Sequence, residues 1–498
     1  MRYLFIVVFV FFLMGCSSNK LQPEDIKKLQ SYMIYQHPSS SLYYLALDDV
    51  KSHYPKTGFY PLEHNYDAFI ARIALIERAK KSLELQYFIF ENDETSIVIV
   101  QKLLEAADRG VRVRILIDDL LKKDDDNLIA SLAVHKNIEI KLFNPTKFRK
   151  FLGWIQLAFN VDTLGRRMHN KLLIADNSAV ILGGRNIENI YYGADNKRIF
   201  IDNDILAIGP LAIEAVNSFE MYWHSNISKN IKDIYNGDDL YDLNKIKKEV
   251  NNLIKIYEKH DFAKDLENRK LTSYIRNENI PLIYGKAKLY YDIPTKITMS
   301  EENTHTHLSE HLLPIVNNAK KSLIVINPYF MPNKKMIKNI QKLLDRGVKV
   351  TVLTNSLATN DAIGVYAAYS TYHKKLLKMG VELYELSPYS FDYIYKNQKY
   401  RKNKIPRSSL HAKTMIIDDD IFIIGSANLD PRSIKLNTEV VAVIYSKELV
   451  SYEKKIFYET IKLENVYKLS LSKRADVYCF GTCIPQDDTQ IVWTTKKG

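Results

Sequence analysis

Apolar and polar positions alternate along this chain with two periods, and the switches between them mark its elements. In AFIARIALIERAKKS (68–82) the apolar residues recur at helical spacing, and the stretch ends on basic residues that suit a helix C-terminus. LELQYFIF (83–90) is apolar and aromatic enough for a strand. SIVIVQKLLEAADRG (96–110) predicts a helix stopped by Gly110, and VRVRILID (111–118) alternates as a strand does. NIEIKLF (137–143) predicts a further strand with a helical segment before it, and KLLIAD (171–176) and VILGG (180–184) predict two strands joined by a tight turn. This alternation predicts an α/β unit with helices on both faces of its sheet.

The pattern then repeats. RAKKSLELQYFIF (78–90) is echoed by NAKKSLIVINPYF (318–330), and ADRGVRVRILID (107–118) by LDRGVKVTVLTN (344–355). RMHNKLLIADNSAVILGGRN (167–186) is echoed by LHAKTMIIDDDIFIIGSAN (410–428). Ala79 and Ala319 differ by 240, Asp108 and Asp345 by 237, His169 and His411 by 242. Three matches in one order at a near-constant offset mark an internal duplication. The expected organisation is a leader (1–15), a tether and lead-in (16–57), a first unit (58–226), a connector (227–282), a second unit (283–464) and a tail (465–498). The connector is polar, with a helix expected in LNKIKKEVNNLIKIYEKH (243–260), and the stretch 474–498 of the tail reads as a short hairpin.

Each copy carries His, then Lys two residues on, then Asp five after that: His169, Lys171, Asp176 and His411, Lys413, Asp418. Alternate strand residues share a face, so the histidine and lysine of each copy point the same way. Asp176 is an odd number away, but the turn at the strand end can redirect it. The lysine supplies a point charge for phosphate oxygens, and the imidazole can attack or pass a proton. Asn186 and Asn428 follow their motifs at equal distance and add amide donors for substrate, beside glycines that let the backbone come close. A single such motif is usually a solvated surface feature; two intact copies point to phosphodiester transfer. One histidine attacks phosphorus and forms a phosphohistidine, and the other protonates the leaving oxygen and then takes a proton from water or an alcohol. The lysines and asparagines stabilise the equatorial oxygens. The scheme calls for no metal or other cofactor. Each imidazole needs a carboxylate on its far nitrogen. DNDI (202–205) and NTEV (437–440) offer one per half, and Asp204 and Glu439 are expected to orient the two histidines; ordinary strand-edge acids are the alternative.

These motifs, with GFYPL (58–62), AADRGVRVRILIDD (106–119), GGRNI (183–187) and HAKTMIIDDDIFIIGSANLDPRS (411–433), resemble the phospholipase D superfamily and its bacterial cardiolipin synthase-like branch. The resemblance implies two fused phospholipase D-type α/β sandwich units related by a pseudo-twofold axis, with one active site at their interface. It also implies a phosphohistidine on the first motif and phosphatidyl transfer or phospholipase D hydrolysis on phospholipids. Relatives in this branch usually continue past the VWTTKKG tail into a further helical segment.

The remaining features bear on partners. Net charge is +12 and pI about 9.1, which suits an anionic partner, nucleic acid or an anionic lipid surface, or reflects compositional drift. A nuclease of the same superfamily is therefore one competing reading, although such nucleases are often single-copy units that dimerise. An inactive lipid-binding lipoprotein is another, opposed by six intact motif residues. MRYLFIVVFVFFLMGCSSNK (1–20) has a basic start and an apolar run too short to span a bilayer comfortably. Its Leu13-Met14-Gly15-Cys16 resembles a bacterial lipobox, which implies lipidation at Cys16 and a lipid anchor in the cell envelope, in the periplasm or on the outer face of the cytoplasmic membrane. An uncleaved membrane anchor is the other reading. Cys479 and Cys483 stand four apart, a spacing open to a disulfide or to free thiols. KFRKFLGWIQLAFNVDTLGR (147–166) reads either as a membrane-interface segment or as a core helix. Tyr87 and Tyr329 recur at equivalent strand ends, as pocket lining or core.

Overall fold

The computed structural model describes residues 52–119, 127–145, 165–195, 197–235, 240, 242–258, 261–267, 269–277, 279–301, 307–390, 406–473 and 489–494. The lipobox-like leader, most of the apolar stretch (147–164) and Cys479 with Cys483 lie outside them.

The first half contains strands β1 (Thr57–Leu62), β2 (Ser82–Tyr87), β3 (Arg112–Asp118), β4 (Ile138–Phe143), β5 (Leu172–Ala175), β6 (Ala179–Gly183), β7 (Arg198–Ile201), β8 (Asp204–Ile208) and β9 (Ser228–Asn230). The second contains β10 (Ile283–Tyr291), β11 (Ser322–Ile326), β12 (Lys349–Asn355), β13 (Glu382–Leu386), β14 (Arg407–Leu410), β15 (Thr414–Ile417), β16 (Ile421–Gly425), β17 (Val440–Tyr445), β18 (Val466–Lys473) and β19 (Thr489–Thr494). All but β7 and β14 join one sheet, in the order β9-β4-β3-β2-β5-β6-β8-β1-β10-β17-β16-β15-β11-β12-β13-β18-β19. Outward from the β1–β10 seam the two halves run in the same order through eight strands each, with β19 added at one edge, so the duplication expected from the sequence is a duplication of topology. Of the hairpin expected in 474–498 only β19 is described; it pairs with β18, which lies before that stretch and pairs with β13, so both belong to the second half-sheet.

The periodicities explain the layers. Helix α1 (Asn65–Arg78) and α2 (Glu94–Asp108) bury their apolar stripes on the first half-sheet, in a core with Leu83, Leu85, Val113, Ile115 and Ile140. α2 begins where the Asp93 carboxylate accepts from Ser96 N at 3.1 Å and ends before Gly110, whose φ of +91° suits a residue without Cβ. β2 stops at Tyr87, short of the expected LELQYFIF run; Phe88 instead sets its ring edge-on to His169, with centroids 5.1 Å apart. α3 (Pro210–Trp223) reaches β2, β5, β6, β8 and β10. In the connector, α4 (Leu243–Tyr257) buries Ile246, Val250 and Ile254 at intervals of four, as the sequence predicts, and lies against α2. The second half repeats the scheme: α5 (Lys334–Asp345) packs into its own core, and α6 (Lys447–Thr460), the counterpart of α3, lies against β10, β15 and β16.

β7 and β14 lie apart from the main sheet and pair with each other in parallel, Arg198 opposite Arg407 and Ile201 opposite Leu410. The mirrored contact is a bridge between Met168 and Thr438. Each half therefore lends the segment just before its histidine to the other half.

Candidate active site

Both histidines sit just ahead of a hairpin strand, His169 before β5 and His411 before β15. Neighbouring strand ends fix the preceding backbone. Met168 N donates to Asp118 Oδ2 at 2.7 Å, and at the equivalent place Leu410 N donates to Asn355 Oδ1 at 2.8 Å. His169 N donates to Thr438 O at 2.9 Å and His411 N to Ile201 O at 2.8 Å, so the opposite half completes each clamp.

The carboxylates also cross over. His169 Nδ1 lies 2.9 and 3.1 Å from the two carboxylate oxygens of Glu439, and His411 Nδ1 lies 2.6 Å from Asp202 Oδ2. With Nδ1–H donating, each ring keeps its Nε2 for chemistry. The expected orienting role of Glu439 agrees with this geometry; that of Asp204 is corrected. Asp204 accepts instead from Arg72 Nη2 at 2.8 Å and Arg185 N at 3.2 Å, wholly buried. Register explains the slip. Gly183 pairs with Asp204 and Gly425 with Val441, so the counterpart of Glu439 is Asp202, two residues earlier.

The motif aspartates are also corrected. Asp176 and Asp418 end β5 and β15, four strand residues, or about 13 Å, from the histidine end. Asp176 accepts from the backbone N–H groups of Lys80, Lys81 and Ser82, and Asp418 from those of Lys320, Lys321 and Ser322, at 2.6–3.2 Å. Both adopt φ near +50°. They are turn residues that fix the starts of β2 and β11 and do not reach the histidines.

The lysines do stay with the histidines. Lys171 Nζ donates to His169 O at 2.6 Å; Lys413 Nζ donates to His411 O and lies 2.9 Å from His411 Nδ1. That nitrogen cannot both donate to Asp202 and accept from Lys413, and the shorter carboxylate contact decides for the first. Lys413 is then a neighbouring charge. Burial pulls Lys171 down to about 7 and Lys413 to about 8, against the carboxylates that raise them. Burial also lowers both histidines, His411 to about 4, with Lys413 pushing the same way and Asp202 opposing. Lys413 lowers His169, and Lys171 lowers His411, so the two motifs share one electrostatic field. Burial would raise Asp202 and Glu439, but the imidazoles and lysines hold both below the usual carboxylate range.

The expected asparagines differ in state. Asn186 gives Nδ2 to Tyr191 Oη at 2.8 Å and takes Ile89 N at 3.2 Å on Oδ1. Buried Asn428 has no hydrogen-bond partner on Oδ1 among the described residues. Tyr87 is core, its Oη 3.3 Å from Arg72 Nε, whereas Tyr329 is half-buried and donates to Asp361 at 2.8 Å.

Sequence reasoning missed several residues. Ser426 and Ser433 donate to Glu439 at 2.5 and 2.6 Å. The position equivalent to Ser426 is Gly184, where a Cβ would meet Asp202 Oδ1 at 2.2 Å. The G-S and G-G variants of the repeat thus encode a hydroxyl for one carboxylate and room for the other. Phe200 stacks on His411 at 4.8 Å. Asp118 and Asn355, the strand-end clamps, recur at an offset of 237 and were findable from the repeat.

Comparison with known proteins identifies the family. Residues 73–223 and 312–461 each match the family described as "Cardiolipin synthase, PLD-like domain". The chain is similar to Escherichia coli (strain K12) cardiolipin synthase C, 35% identical over 82% of this chain and 85% of that one. It is also similar to an uncharacterized protein of Helicobacter pylori (strain J99), 34% identical over 88% and 86%, and to Bacillus cereus cardiolipin synthase 1, 26% identical over 83% and 69%. The phosphatidylserine synthase structure from Haemophilus influenzae shares the fold, with a TM-score of 0.56 and 15% identity over 84% of this chain and 90% of that one. The duplicated sheet, the paired motifs and these matches together place the chain in the phospholipase D-like cardiolipin synthase family.

Proposed function

We propose that this protein is a phosphatidyltransferase that moves a phosphatidyl group from one phospholipid to the hydroxyl of another, as a cardiolipin synthase does, through a phosphohistidine at His169. The observation that carries the reading is the crossed pair of imidazole–carboxylate contacts, each histidine held by the other half of the duplication. In the first step His169 Nε2 attacks phosphorus, the bond to the leaving alcohol oxygen breaks, and His411 Nε2 delivers its proton to that oxygen. In the second, the acceptor hydroxyl attacks, the P–N bond breaks, and the hydroxyl proton passes to His411. Lys171 and Lys413 hold the non-bridging oxygens, and Asn428 Oδ1 faces a donor on the substrate or a water. The phosphate's negative charge counters the lysines and burial, and so raises His411 toward the protonation the first step needs.

Water as acceptor would give hydrolysis with the same residues, so the product decides. Lipid mass spectrometry of membranes from cells with and without the gene is expected to show cardiolipin gained; gain of phosphatidic acid alone would make the protein a lipase. Purified protein should turn over labelled phospholipid vesicles, with His169→Asn as the inactive control. Turnover of labelled DNA in their place would support a nuclease. We further propose that Cys16 is lipidated and tethers the protein in the bacterial cell envelope; the apolar run before it supports this. Metabolic labelling with palmitate should mark the native chain and not Cys16→Ser.

A further inference from the structure

The pseudo-twofold relation is broken behind one histidine. An offset of 237 residues relates 201–223 to 438–460, and 242 relates the motif strands. Behind His169 the space is filled by Asn170, Tyr222, Trp223 and Thr438, all buried. Tyr222 Oη donates to Asp292 O at 2.6 Å, and Thr438 Oγ1 to Asn170 Oδ1 at 2.8 Å. The equivalent positions behind His411 are Ala412, Glu459, Thr460 and Ile201. Ala412, Glu459 and Thr460 are smaller than their counterparts, Ile201 is larger, and Glu459 is turned to solvent. They line a cavity of about 320 Å³ whose wall includes Asp202, the carboxylate of His411, with Asn203 and Glu453.

The two carboxylates solve the same electrostatic problem differently. When an imidazole is neutral, its buried partner loses its counter-charge and needs other hydrogen bonds. Glu439 has two serine hydroxyls. Asp202 has a glycine in place of one of them, and besides His411 it takes the Asn203 backbone N–H at 2.8 Å. Asn203, 8% exposed, gives Nδ2 to Glu453 Oε2 at 3.2 Å, while its Oδ1 has no partner among the described residues. The wall mixes apolar side chains such as Ile201, Leu410 and Phe457 with the carboxylates of Asp202 and Glu453, and at its polar end a buried, unpartnered amide oxygen makes a place for water. Glu453 is itself 5% exposed and stands where the first half has Val216.

We propose that this cavity holds water behind the Asp202–His411 pair, and that Glu453 is a positioning residue that anchors Asn203 and, through it, the Asp202 carboxylate. The inference rests on His411 being the acid–base group of the proposed transfer. On this account the phosphohistidine side stays dry, while the side that changes protonation twice per turnover is hydrated from behind. Burial and Glu63 keep the Glu453 carboxyl protonated well above the usual range, so it acts as a neutral anchor. The other charged or titratable groups facing the cavity are Glu63 and His64 after β1, and Glu459, Lys462 and Glu464 at and beyond the end of α6. Lys413 and Lys171 face His411 from the motif strands, and Arg185 acts on Asp202.

The test compares Glu453→Leu, which removes the acceptor for Asn203, with Glu453→Gln, which keeps one. The leucine variant should lose about tenfold in kcat with KM unchanged, the scale of one buried hydrogen bond, and shift the alkaline limb of the kcat–pH profile, the limb set by loss of the His411 proton. The glutamine variant should stay within about twofold of the wild type in kcat and keep that limb in place. Thr460→Trp, which restores the first-half side chain at the cavity's half-buried mouth, should lower kcat and shift the same limb even if the leucine variant fails to fold. Wild-type kcat and pH profile in folded Glu453→Leu, equal damage in Glu453→Gln, or an unaltered profile in Thr460→Trp would overturn the proposal. Activity surviving in His411→Asn would instead overturn the reading beneath it.

Discussion

Glu439→Gln is the perturbation that bears hardest on the crossed architecture. The carboxylate accepts from His169 Nδ1 at 2.9 Å, Ser426 Oγ at 2.5 Å and Ser433 Oγ at 2.6 Å. Glutamine keeps the shape and removes the charge. Loss of one charge-assisted hydrogen bond to the imidazole that becomes cationic or phosphorylated costs about 1.5–3 kcal/mol, or roughly 10–150-fold in rate. A second effect adds to it. The new amide can donate to Nδ1 and hold the ring proton on Nε2, which blocks the attacking lone pair; the analogous change in a serine-protease triad costs about 10⁴. The expected outcome is kcat lowered by about 10²–10⁴ with KM little changed, because Glu439 touches His169 and not the lipid. The assay is release of radiolabelled head group from phospholipid vesicles, with acid-quenched single turnovers to follow the covalent intermediate. A folded variant with kcat within about threefold of wild type would refute the reasoning, since even the weaker effect alone exceeds that.

Other expectations follow from the corrected residues and the charges. Asp202→Asn should abolish turnover in a folded protein, whereas Asp204→Asn, which strips buried Arg72 and Arg185 of their counter-charge, should cost about 3–5 kcal/mol in urea unfolding. Asp176→Ala should lower stability by about 2–4 kcal/mol through three orphaned backbone N–H groups, yet leave kcat per folded molecule unchanged. A bound phosphodiester of fixed negative charge should raise His411 from about 4, so binding takes up protons and tightens as pH falls from 7 toward 5. Calorimetry in two buffers of different ionisation enthalpy reads that uptake, and no uptake over this range would contradict it.

The sequence made the duplication legible because strand and helix periods, turn glycines and motif spacing all repeat in one order. The lysines and histidines were legible because His-x-Lys recurs intact in both copies, although each pair lies just ahead of its strand and not within it. The aspartates were not. His-x-Lys-x4-Asp looks like one constellation, but Asp176 and Asp418 sit across a strand from the histidines in left-handed turn geometry, and their partners are backbone groups about 95 residues away. Set side by side as strings, DNDI and NTEV put Asp204 opposite Glu439; only the pairing of β6 with β8 and of β16 with β17 shows that Asp202 is the counterpart. Nor does a string show that each carboxylate serves the histidine of the other half, which depends on β7 and β14 exchanging partners.

The central claim is that two imidazoles from the two halves act on one phosphorus, with His169 as the nucleophile. Mass-spectrometric mapping of the acid-quenched covalent intermediate, formed from a labelled phospholipid, tests it most directly. The account predicts the phosphatidyl label on the peptide containing His169 and none on the peptide containing His411. Label on His411, or a burst of released head group with no labelled histidine, would contradict it.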